Sequence, residues 1–169
     1  AQSYNLDPNR IGAWGCSAGG HLAALLGLTD PSAGFDQGEY AKESSRVQVV
    51  ATLSTPMDIT LYDPTARAEM LHKVFGTNTD KTILAKASPV NYASQNAAPF
   101  LIFQGNRDSL IAPKNGENLV ERLNALGGSA DLITVENGTH CFAPDPSMNP
   151  NRAEIATLIV NFFDRHLRR

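Results

Sequence analysis

The residues Gly15-Cys16-Ser17-Ala18-Gly19 stand between a short apolar run, Ile11 to Trp14, and a longer one, Leu22 to Leu28. A strand that reverses directly into a helix needs residues without side chains on both sides of the bend. Gly15 and Gly19 flank Ser17 at the G-x-S-x-G spacing, which predicts Ser17 at the apex of a tight turn with its hydroxyl projecting outward. The run before it reads as the end of a buried strand. The run after it reads as a helix apolar on most faces, suited to packing against a sheet. The competing reading is a glycine-rich turn with an ordinary serine, and the rest of the chain must decide between the two.

Apolar runs and helical patterns alternate through the sequence, the signature of βα units and a parallel sheet. "VQVVATL" (Val47 to Leu53), "FLIF" (Phe100 to Phe103) and "DLITV" (Asp131 to Val135) read as three further strands, the first suited to burial on both faces. Pro113 opens a helix with Leu119, Leu123 and Leu126 on one face and Gly127 as its stop; Pro150 opens another, carrying Ile155, Leu158 and Phe162 inward. Residues 54–98 are irregular, with short helices near Arg67 to Phe75 and Lys81 to Ala87. That segment is too long for a plain connection and reads as a cap-like insertion over the strand ends. Four strands are few for a doubly wound sheet. The 169 residues fit a single domain.

A hydrophobic content of 42%, a charged content of 18% and a net charge of −3 describe an ordinary globular protein and argue against a nucleic-acid partner. The one basic cluster, Arg165 to Arg169, ends a helix, where cations suit the dipole. No apolar run approaches a membrane span and none reads as a signal peptide, so no membrane partner is expected.

A serine is a poor nucleophile unless a base takes its proton, and that base needs orienting by a third group. The chain offers both at strand ends. Asp108 lies five residues past the strand ending at Phe103, and His140 lies five past the strand ending at Val135. Open α/β sheets place their sites beyond the carboxyl ends of the strands, as these two positions are. The order Ser, Asp, His is that of α/β-hydrolases.

The stretches "DPNRIGAWGCSAGGHLAALLG", "ASPVNYASQNAAPFLIFQGNRDSLIAP" and "ENGTHCF" together resemble the branch of bacterial carbohydrate esterases that includes acetylxylan and feruloyl esterases. The resemblance runs over nearly the whole chain and implies a doubly wound, mostly parallel sheet of the α/β-hydrolase type. It implies Ser17 as nucleophile, His140 as general base and then acid, and Asp108 as the carboxylate that orients the imidazole. The expected reaction is hydrolysis of carbohydrate or short-chain acyl esters through an acyl-enzyme, with a small-molecule or polysaccharide ester as partner and no cofactor. Asp58, in "STPMD", competes for the acid role; Asp108 is preferred because its strand immediately precedes the one carrying His140. His21 reads as packing, and His72 and His166 as exposed helix positions. No His, Cys, Asp or Glu cluster has metal-ligand spacing, so no metal is expected.

Cys16 precedes Ser17 and Cys141 follows His140, and the chain has no other cysteine. Ser and His side chains that meet draw their backbones close, and the neighbouring cysteines then fall near disulfide range. The pairing resembles the CS-D-HC arrangement of fungal tannases and feruloyl esterases. A disulfide Cys16–Cys141 is the preferred reading, with a small buried Cys16 and a free Cys141 thiol as the alternative. The bridge implies a secreted or periplasmic protein.

The resemblance supplies one oxyanion donor, the backbone N–H of Ala18. The second normally comes from a loop after an earlier strand, which would lie upstream of residue 1. The chain is therefore expected to be the C-terminal portion of an α/β-hydrolase domain, its N-terminal strands missing. A further segment of the same protein, or a partner chain, is expected against the edge of the strand before Ser17. Two alternatives share the fold: a prolyl-oligopeptidase-type serine peptidase, and a non-catalytic scaffold used for binding.

Overall fold

Four parallel strands form one sheet in the computed structural model, which describes residues 4–63, 65, 67–77 and 79–168. They are β1 (Gly12–Cys16), β2 (Val49–Leu53), β3 (Phe100–Gly105) and β4 (Ala130–Val135), side by side in chain order. Every residue of β2 and β3 is buried, as uninterrupted apolar strands with cover on both faces must be. Among the described residues five α-helices accompany them: α1 (Ala18–Leu28), α2 (Ala68–Phe75), α3 (Lys81–Ala87), α4 (Lys114–Ala125) and α5 (Arg152–Leu167).

Because side chains alternate along a strand, each strand feeds two cores. On one face Val50, Phe100 and Ile102 pack with Ala23, Ala24 and Leu28 of α1 and with Leu119 and Leu123 of α4. On the other, Val49, Ala51, Leu101 and Phe103 pack with Ile155, Ile159 and Phe162 of α5. The sheet is thus wound on both sides, as expected. Residues between β2 and β3 build a small core of their own from Ile59, Leu71 and Leu84. Asp80 starts α3 by accepting the amides of Thr82 and Ile83 at 2.8 and 3.0 Å. Buried Asn115 of α4 ties this segment down, its side-chain oxygen accepting the N–H groups of Met57 and Asp58, each at 3.0 Å.

Several expectations shift by a residue or a turn. The helix that contains the apolar run Leu22 to Leu28 begins at Ala18, so it follows the serine without any intervening loop. Ile159 takes the inward place expected of Leu158, which is exposed. Leu126 is exposed too, because α4 ends at Ala125 and the chain turns there. Among the described residues β1 pairs only with β2, and Trp14 and Leu22 beside it are 63% and 62% exposed.

Candidate active site

Ser17 occupies the junction of β1 and α1 with φ 54° and ψ −121°, left-handed backbone that a non-glycine residue adopts only under constraint. Its N–H donates to the Leu53 carbonyl at 2.9 Å and its carbonyl accepts the His21 N–H at 2.9 Å. Although Ser17 is the N-cap of α1, its side chain makes no capping hydrogen bond, which leaves the hydroxyl available outward. Close approach explains Gly15: a Cβ there would lie 2.4 Å from the Gly19 carbonyl carbon. It does not explain Gly19, where a Cβ would meet nothing within 4 Å. The second crowded glycine is Gly20, whose Cβ would lie 2.0 Å from Thr55 Oγ1.

The two loops expected to carry the acid and the base converge on this serine. His140 Nε2 lies 3.0 Å from Ser17 Oγ, and His140 Nδ1 lies 3.1 Å from Asp108 Oδ2. The Asp108 side chain is fully buried, while that of His140 keeps 23% of its surface exposed. Burial works against a charged Asp108, yet hydrogen bonds from the Ile111 and Leu110 amides, His140 and Ser54 outweigh it and hold the carboxyl below its usual value. An ionised Asp108 accepts a hydrogen bond from the Nδ1–H and so keeps the proton on that nitrogen, leaving the Nε2 lone pair to accept from the Ser17 hydroxyl. Asp58, the competing acid, accepts instead from the Thr60 amide and hydroxyl and caps a short turn.

The acid and histidine loops are fastened to each other through their backbones. Asn106 donates to the Val135 carbonyl at 3.1 Å and Arg107 to the Gly138 carbonyl at 3.0 Å. Gly105 and Gly138 approach so closely that a Cβ on Gly105 would lie 2.2 Å from the Gly138 oxygen. The histidine loop is also bound to the elbow by a Cys16–Cys141 disulfide with Cα atoms 5.9 Å apart, the expected pairing. Ala18, the expected oxyanion donor, is the first residue of α1, where free amides and the helix dipole favour negative charge.

The other histidines take separate roles. His21 is half-buried, its Nε2 2.7 Å from the Ala87 carbonyl, and joins α1 to the segment between β2 and β3. Burial pushes its pKa down, with the Ala87 contact acting the other way. His72 is exposed, but His166 is half-buried against Phe162, ring centroids 4.7 Å apart, in place of the exposed position expected. Among the described residues no group of three or more His, Cys, Asp or Glu is arranged to hold a metal, and no helix is long and apolar enough to cross a membrane. Sequence reasoning missed Gly20, Asn115 and Ser54. Only Gly20 left a trace, as the second glycine of a pair.

The BD-FAE family model matches residues 1–123, taking in Ser17 and Asp108 and stopping short of His140. Esterase LipC of Mycobacterium tuberculosis is 33% identical over 132 residues, an alignment covering 73% of this chain and 32% of LipC. A truncated form of a carbohydrate esterase from gut microbiota superposes with a TM-score of 0.79 at 23% identity, covering 100% of this chain and 64% of that one. An acetyl ester-xyloside bifunctional hydrolase from Caldicellulosiruptor lactoaceticus does so with a TM-score of 0.69 at 21% identity, covering 97% and 57%. These structural likenesses show the α/β-hydrolase type of sheet. The chain spans about a third of the length of the curated relatives it matches.

Proposed function

The chain belongs to the BD-FAE family, and from that premise we propose that its site is that of a serine carboxylic-ester hydrolase working through an acyl-enzyme. The observation that carries this reading is the continuous path from a strained Ser17 through His140 to a sealed Asp108, at 3.0 and 3.1 Å. In the proposed reaction His140 Nε2 takes the Ser17 proton as Oγ attacks the ester carbonyl carbon. The negative charge that develops on the carbonyl oxygen is met by the Ala18 N–H at the positive end of α1. His140 then gives its proton to the departing alcohol, and afterwards activates the water that releases the acid from Ser17. Asp108 keeps the imidazole in the one tautomer and orientation that serves both steps.

The substrates proposed are carbohydrate esters, acetyl or feruloyl, or short-chain acyl esters. The ester chemistry is supported by the similarity to an esterase, LipC, and the carbohydrate class by the sequence motifs together with the likeness in fold to a carbohydrate esterase. A secreted or periplasmic location is proposed from the disulfide, a bond that persists in oxidising compartments.

Full-length protein and its Ser17→Ala variant, assayed on acetyl, butyryl and feruloyl esters, test the reading. Hydrolysis is expected to vanish in Ser17→Ala while circular dichroism stays unchanged, and a fluorophosphonate probe is expected to label the parent at Ser17 alone. Undiminished hydrolysis by Ser17→Ala overturns it. Cleavage of prolyl peptides without ester turnover would point instead to a peptidase, and ester binding without turnover to a scaffold.

A further inference from the structure

Six non-glycine residues have positive φ among the described residues, and four of them surround the site: Ser17, Ser54, Cys141 and Phe142. Such backbone is strained for a residue with a side chain and persists only where the surroundings over-determine it. For three of the four the constraint is plain. Ser17 is the elbow, Cys141 is bridged to Cys16, and Phe142 is anchored in the core against α5. Ser54 belongs to neither the elbow nor the histidine loop, yet its φ is 47°.

Ser54 follows β2 directly and is completely buried, its N–H donating to the Phe103 carbonyl at 2.9 Å. Its hydroxyl reaches both the loop that carries the histidine and the loop that carries the acid. Oγ accepts the N–H of Cys141, the residue next to His140, at 3.1 Å. The same hydroxyl donates to the Asp108 carboxylate and helps keep it ionised. A hydroxyl has one proton and two lone pairs, so this pair of bonds is within its capacity. A buried oxygen between two loops fixes their separation more tightly than packing does, because losing either bond strands a polar group away from water.

We propose that Ser54 is a positioning residue for the acid–base pair: its hydroxyl, bound to the Cys141 N–H and the Asp108 carboxylate together, sets His140 where Nε2 meets Ser17 and Nδ1 meets Asp108. The proposal rests on the reading of the site given above. Ser54 touches no reacting atom and acts through the two residues it holds. Among the described residues, Tyr62, Asp63 and Arg67 line a cavity together with Asp108. Burial, with Asp108 adding to it and Arg67 opposing it, pushes the Tyr62 phenol up to about 12, so it stays neutral. Arg67 donates to the Ser109 and Leu110 carbonyls of the acid loop at 3.3 and 3.2 Å.

The test uses Ser54→Ala and Ser54→Gly in the full-length protein. Alanine removes the hydroxyl at unchanged backbone strain, and glycine removes it while relieving that strain, so the glycine variant keeps the test open if the alanine variant does not fold. Turnover of p-nitrophenyl acetate is normalised to the sites titrated by a fluorophosphonate. In both variants kcat per site is expected to fall about tenfold, the worth of one hydrogen bond to a charged group, with KM nearly unchanged. The acid limb of the kcat/KM profile is expected to move to higher pH, because a carboxylate stripped of the hydroxyl attracts the imidazolium more strongly. The downfield proton resonance of the His140 ring N–H is expected to broaden, and Ser54→Thr, which keeps the hydroxyl, to restore it. Unchanged kcat per site and an unmoved acid limb overturn the proposal, as does a loss confined to melting temperature and the number of titratable sites. Hydrolysis that survives Ser17→Ala fails the reading of the site instead. In that event the ring N–H resonance, which needs no substrate, still decides for or against Ser54.

Discussion

Asp58 and Asp108 occupy like places, each in a loop just past a buried strand, and differ in what their carboxylates reach. The strand of Asp108 is neighbour to that of His140, with register Phe100↔Ala130 through Gly105↔Val135, so the two loops emerge together. Asp58 emerges one strand further away and turns back on Thr60. Asp108→Asn is expected to lower kcat by about four orders of magnitude, since an amide offers the imidazole an N–H and holds the wrong tautomer. Asp58→Asn is expected to leave kcat unchanged. Steady-state kinetics on the two variants, with circular dichroism to show that both fold, separates the roles. A normal Asp108→Asn enzyme would hand the acid role elsewhere.

At the level of elements, what could be read in advance was whatever local pattern carries. The strand–turn–helix around Ser17, the winding on two faces and the strand-end positions of Asp108 and His140 all follow from periodicity and chain order. What could not be read depends on residues that meet only after folding. Residues 155, 158 and 162 line a helix face as well as 155, 159 and 162 do, and only the direction in which the sheet lies selects Ile159. Ser54 has no motif around it, because its partners come from two later loops. Gly20 is required by Thr55, a residue delivered by the pairing of Gly15 with Thr52 and Cys16 with Leu53. The last case yields a paired expectation. Gly20→Ala should cost about 1–3 kcal/mol through overpacking. Gly19→Ala, which enters open space inside a helix, should raise stability by up to about 1 kcal/mol. Urea denaturation of the two variants gives both signs. A destabilised Gly19→Ala beside a neutral Gly20→Ala would mean that the elbow turns on the motif's own glycine.

The molecule as a whole presents β1 as a sheet edge among the described residues, with Trp14, Ile11 and Leu22 exposed beside it. An unprotected edge next to exposed apolar side chains favours pairing between chains. Residues 1–169 expressed alone are expected to self-associate, with light scattering after size exclusion as the check; a monomer that unfolds cooperatively would contradict this. The bridge between Cys16 and Cys141 has a different consequence, one of chain continuity. It spans 125 positions of sequence and joins the segments bearing Ser17 and His140. A peptide bond cut anywhere between them, in the exposed stretch at 35–45 for example, leaves both residues on one covalent molecule. Limited proteolysis is therefore expected to yield pieces that separate on a denaturing gel only after reduction, and ester hydrolysis is expected to outlast the intact chain. If turnover instead falls in step with the first cut, the bridge does not preserve a working site. Where proteases are abundant, a nicked copy held together in this way would stay in service.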